Sequence, residues 1–84
     1  MDFVSACKFS CSEFREDDAV IGKIRDCGEY WIFFPKGKAD EYGLVPIIVY
    51  KDDKQPIFMA FDQYLKLASN IEKAPVIEVP EEFK

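Results

Sequence analysis

The spacing of apolar positions changes along the chain, and each change marks an element. Between residues 2 and 15, Phe3, Cys7, Cys11 and Phe14 recur at intervals of four, four and three, which is one face of a helix. Asp2 stands where it caps such a helix. Phe9 falls off that face, and Ser, Cys and Phe are weak helix formers. A short helix is therefore expected here, with a strand paired to the sheet as the alternative.

The middle of the chain reads as β. Ala19–Arg25 carries Val20, Ile21 and Ile24 and stops at Asp26-Cys27-Gly28, where a tight hairpin is expected. Tyr30, Trp31, Ile32, Phe33 and Phe34 follow without a polar break, as in a central strand covered on both faces. Pro35 is expected to end that strand, because proline donates no ladder hydrogen bond. Residues 35–43 are a polar loop. Leu44–Tyr50 is a further strand, with Pro46 at an edge, at a bulge or near its start. Lys51-Asp52-Asp53-Lys54 is a turn, and Pro56–Ala60 completes an antiparallel meander.

The period returns to helical after Phe61. Phe61, Tyr64, Leu65, Ala68 and Ile71 are placed on one face, with Leu67 beside it, and Gln63, Lys66, Ser69, Asn70 and Glu72 on the other. Asp62 is the expected cap, and Ala74-Pro75 stops the helix near Lys73. Val76–Val79 is a short extended segment. The expected fold class is α+β: one domain over residues 1–84, with a four- to five-stranded, mostly antiparallel sheet. The C-terminal helix packs on one face, and a short N-terminal helix helps to cover it.

Composition changes this picture little. Of 84 residues, 49 % are hydrophobic and 15 % aromatic, enough for a packed core in a chain of this length. Charge adds more. A net charge of −5 disfavours nucleic acid, whose phosphates recruit Lys and Arg, and disfavours anionic membranes. It suits a basic protein partner, since opposite charges speed encounter. No apolar run approaches the ~20 residues of a membrane span, and Met1-Asp2 begins no basic leader, so a cytoplasmic location is expected.

Candidate chemistry is sparse. The chain has no His. Histidine triads and His metal sites are thereby excluded, and no catalytic residue, cofactor or metal is expected. Cys7, Cys11 and Cys27 are too few thiolates for a four-Cys zinc site and an odd number for a disulfide scaffold. They are expected to be free thiols in a reducing compartment, with Cys27 the most exposed. The pairs Asp17-Asp18, Asp40-Glu41, Asp52-Asp53 and Glu81-Glu82 are adjacent in sequence and fall in turns or the tail. Solvated turns explain them better than a paired-carboxylate active site. No phosphate-cradling glycine motif is present. The aromatic run suits a core better than base stacking, because its flanking charges are Glu29 and Lys36. In that strand Trp31 and Phe33 face opposite to Tyr30, Ile32 and Phe34. One set would be partly exposed if only one face were covered.

Three stretches carry a resemblance: Tyr30-Trp31-Ile32-Phe33-Phe34, then Gly43 to Asp52 (GLVPIIVYKD), then the helix opening Phe61-Asp62-Gln63-Tyr64-Leu65. Together they resemble small immunity proteins of bacterial polymorphic-toxin systems, the YrhB-like group and more distantly the SUKH superfamily. The turn after the Pro-containing strand reads Asp52-Asp53-Lys54-Gln55 where those families carry Gly. The resemblance implies a non-catalytic protein that binds and blocks a toxin. It transfers no binding residue, because these families vary at the partner surface.

The functional expectation is thus a protein-binding module, most simply an inhibitor or immunity protein. The alternative is a structural or regulatory domain that self-associates as a homodimer through the Pro46 or Val76–Val79 strand. The expected partner-binding residues are Asp17, Asp18, Asp40, Glu41, Asp52 and Asp53, with Tyr42 as an aromatic anchor.

Overall fold

A computed structural model describes residues 2–16, 19–37, 45–52, 54–59 and 61–83, with the backbone alone at 37, 61–64 and 68. Helix α1 spans Phe3–Arg15 and strand β1 Ala19–Asp26. Strands β2, β3 and β4 span Tyr30–Gly37, Ile47–Tyr50 and Ile57–Phe58. Helix α2 covers Phe61–Lys73, β5 is Val76–Ile77, and a 3-10 turn follows at Glu81–Phe83. The fold is α+β, as expected. Its antiparallel five-stranded sheet has the order β4-β3-β2-β1-β5.

The first block is a helix, and its cap is the one foreseen. Asp2 Oδ1 accepts the Ser5 amide at 2.8 Å. Cys7, Cys11 and Phe14 are buried along one face, with Ala6 and Ser10 beside them. Phe9, off that face, packs at 6.3 Å on Phe58. At the β1–β2 hairpin the Cys27 amide donates to Tyr30 O at 2.9 Å, and Gly28 takes a φ of 89°, a left-handed value that suits glycine.

One expectation about β2 and one about the placement of the helices are corrected, while β2 is covered on both faces as its unbroken apolar run implied. Pro35 does not end the strand, which runs on to Gly37. Its position explains this: Pro35 pairs with Ile21 next to a β-bulge, past Phe33, where the registered pairs with β3 stop. Bulges and edges are where a sheet tolerates proline. The bulge itself is Gly22. Ile21 pairs with Pro35 and Lys23 with Phe34, so Gly22 is the extra residue. A Cβ there would lie 2.7 Å from Lys36 Cβ. The extra residue returns Ile21 and Ile24 to the same face, where both are buried.

The second correction concerns coverage. The two helices lie on opposite faces of the sheet instead of sharing one. On one face Ala6, Cys7, Cys11 and Phe14 of α1 pack on Ile21, Ile24, Trp31, Phe33, Ile47 and Val49. Val79 and Phe83 join that cluster from the C-terminal segment. On the other face Ile71 packs with Ile32, Ile48 and Met59, bordered by Tyr30, Phe34, Tyr50, Leu67 and Cys27. Trp31 is therefore only 8 % exposed. Each large apolar side chain removed from water in this way contributes roughly 1.5–3 kcal/mol.

α2 begins at Phe61, so Asp62 stands in its first turn and not at its cap position. Leu65, expected on the packed face, is 59 % exposed. Six positions separate it from Ile71, about 120° around the helix at 100° per residue, whereas Leu67 is only about 40° away. Leu67 accordingly borders the core. The helix carries the chain from β4, at one edge of the sheet, across to β5, at the other. There Ile77 and Val76 pair with Ile24 and Arg25, and the Asp26 amide donates to Pro75 O at 3.0 Å.

Candidate protein-interface surface

The outermost strand at one edge is β4. It is short because Pro56 precedes it and Met59 turns inward to full burial. Phe58 pairs with Ile47 and Ile57 with Ile48, so successive side chains fall on opposite faces of the sheet. Both remain open to solvent, Ile57 at 38 % and Phe58 at 50 %. Phe58 leans on Phe9 on the α1 side. Ile57 lines a cleft of about 320 Å³ on the α2 side, with Ile48, Tyr50, Lys66 and Leu67. Among the described residues no strand pairs with the outer side of β4, and exposed apolar side chains on both faces of such an edge are what strand-addition recognition uses.

The turn that leads into this edge is fixed by polar contacts. Asp52 Oδ1 accepts the Lys54 amide at 3.0 Å, and Lys54 Nζ stands 3.8 Å from Asp52 Oδ2 with both groups solvated. Lys54 Nζ also lies 5.2 Å above the Tyr50 ring, which meets Tyr30 edge-on at 5.5 Å. Lys51 Nζ joins Asp26 Oδ1 at 2.9 Å and sits 5.2 Å from the Trp31 ring. The Lys51 amide donates to Glu29 O at 3.0 Å. These contacts bind the β1–β2 hairpin to the end of β3. Lys51 and the Gly28 amide together hold the Asp26 carboxyl below its ordinary range.

Of the expected binding residues, Asp52 lies in this turn, between β3 and β4. Asp17, Asp18, Asp40, Glu41, Tyr42 and Asp53 lie outside the described residues. Ile57 and Phe58 were not singled out from the sequence. Pro56-Ile57-Phe58-Met59-Ala60 reads as one more apolar strand, and only the strand order reveals that it is the outer one.

Two of the three thiols are shifted away from reactivity. Burial pushes the Cys7 thiol up to about 11, aided by Glu82 and Cys11. Cys27, half-buried under the hairpin, is also raised, first by burial and then by Asp26. A thiol so shifted is protonated at neutral pH, and the thiolate is the nucleophile. Among the described residues no three potential metal-ligating side chains converge, and no helix is long and apolar enough to cross a membrane. No family model, curated protein or solved structure matches the chain.

Proposed function

We propose that the chain is a non-catalytic protein-binding module, an inhibitor or immunity protein that binds and neutralises a toxin or another basic protein partner in the cytoplasm. The observation that carries this reading is the β4 edge, with Ile57 and Phe58 exposed on either side of it. The net charge of −5 supports a basic partner, and Asp52 brings a carboxylate to the turn beside the edge. A partner strand would hydrogen-bond along β4 while its side chains meet Phe58 and the Ile57 cleft in alternation.

Affinity capture from native lysate with the tagged chain, read by mass spectrometry, tests the reading. One stoichiometric partner is expected with the parent. Phe58→Asp should lose it while its unfolding midpoint stays close to the parent's, because Phe58 is half-exposed. Unchanged capture by this variant would rule out β4 as the interface. Charge reversal at Asp40 and Glu41 asks separately whether the acidic loop steers the same partner.

The second reading is self-association. It rests on β5, an edge strand whose Val76 is 59 % exposed. The Pro46 strand fits this role less well, because β4 lies outside it and the Met59 amide donates to Pro46 O at 2.9 Å. A concentration-dependent dimer mass by light scattering, abolished by Val76→Asp, would favour this reading over a heterologous partner.

A further inference from the structure

A second cleft, of about 370 Å³, opens near the C-terminal end of α2, lined by Lys23, Arg25, Phe34, Pro35, Ile71 and Glu72 around the Gly22 bulge. Two cations, Lys23 and Arg25, line it beside one carboxylate, Glu72. Arg25 Nη1 donates to two carbonyls at the end of α2, Ala74 O at 2.7 Å and Glu72 O at 3.2 Å. One nitrogen of the guanidinium is thus pinned. Nε and Nη2 donate to no protein group among the described residues. A guanidinium held this way presents a preset pair of donors, the geometry that takes a carboxylate in bidentate fashion.

Lys23 Nζ stands 5.7 Å from the centre of the Phe34 ring, so a cation lies beside an aromatic wall. Neither Lys23 nor Arg25 enters an ion pair among the described residues. Among the described lining residues, two cations against the Glu72 carboxylate leave a single net positive charge. That balance matches a monoanion better than a doubly charged phosphate. The half-buried Phe34 supplies apolar contact for the body that carries it. The volume falls within the range of small-molecule sites.

We propose that this cleft binds a small carboxylate carried on a flat apolar group, such as an aryl carboxylate. Its carboxylate meets the free edge of Arg25 and the Lys23 ammonium, and its ring lies against Phe34. The site is separate from the β4 edge and does not depend on the protein-binding reading.

The test is a heteronuclear NMR titration of the full chain with sodium benzoate, with benzyl alcohol and inorganic phosphate as controls. Saturating shifts confined to the amides of Gly22, Lys23, Phe34, Ile71 and Glu72 are expected with benzoate alone. Lys23→Gln should weaken binding by about fivefold, the scale of one partly solvated charge contact. Glu72→Gln should tighten it, because it removes the opposing carboxylate while the backbone carbonyl that Arg25 uses remains. Phe58→Asp should leave it unchanged. Absent or scattered benzoate shifts, equal binding of benzyl alcohol, preference for phosphate, or insensitivity to both charge variants would each overturn the assignment.

Discussion

Ser10 is fully enclosed on the sheet-facing side of α1, and its hydroxyl has no hydrogen-bond partner among the described residues. A buried polar atom left unpaired costs about 1–3 kcal/mol. Ser10→Ala removes that atom with almost no change in shape, so it should raise stability by roughly 1 kcal/mol. A urea midpoint at or below the parent's would show that the hydroxyl is satisfied after all. Cys7, one turn earlier, predicts a pH dependence. Its folded thiol ionises near 11 and an unburied one near 9.0, so between these values the unfolded chain has lost a proton that the folded chain keeps. This contribution to stability is fully present below about pH 9.0 and is lost as pH rises toward about 11. Cys7→Ala should flatten the fall in urea midpoint across that window. Equal slopes in parent and variant would place the titration elsewhere.

At the scale of elements, Arg25 ties β1 to the end of α2 through two charge-assisted hydrogen bonds. Hydrogen bonds from charged groups contribute about 1.5–3 kcal/mol each where they are well shielded, and less when partly solvated as here. Arg25→Ala should therefore cost on the order of 1–2 kcal/mol. Amide exchange should accelerate first at Ala74, Val76 and Ile77. A uniform acceleration over the whole sheet would instead assign Arg25 to global stability. The elements themselves were legible where local chemistry decides. The Asp2 cap, the Gly28 hairpin, the unbroken Tyr30–Phe34 run and the Pro75 stop each act within a few residues. What escaped the sequence depends on distant neighbours. Pro35 survives inside β2 because a bulge on another strand lies opposite it. Leu65 is apolar by composition but points away from the sheet, and only the seating of Ile71 shows which helical face is inward. The candidate interface was still less legible. Charge drew attention to acidic turns, whereas the exposure of Ile57 and Phe58 follows from the strand order.

For the whole molecule, β2 is the seam between two hydrophobic clusters. Ile32 belongs to the α2 side and Phe33 to the α1 side, and both are fully buried. Phe33→Ala should cost about 3–5 kcal/mol and Ile32→Ala about 2–5 kcal/mol. A domain of this size has roughly 5–15 kcal/mol in total, so either change should leave little reserve at physiological temperature. Calorimetry should show one cooperative transition that moves down in both variants. Two separated transitions would mean that the clusters melt independently across the sheet.

The Gly22 bulge has a consequence for insertions and deletions. With Gly22 left out, Ala19, Ile21 and Ile24 alternate with Val20, Lys23 and Arg25 in strict period two, each facing the side it already faces. Removing Gly22 should therefore preserve the pairing of β1 with β2 and straighten the strand. Removing Val20 should instead turn the buried Ala19 away from the core and lower stability, while Ile21 onward keeps its register. β1 thus carries one residue that the register does not count, and chain length at this point is free to change where composition is not.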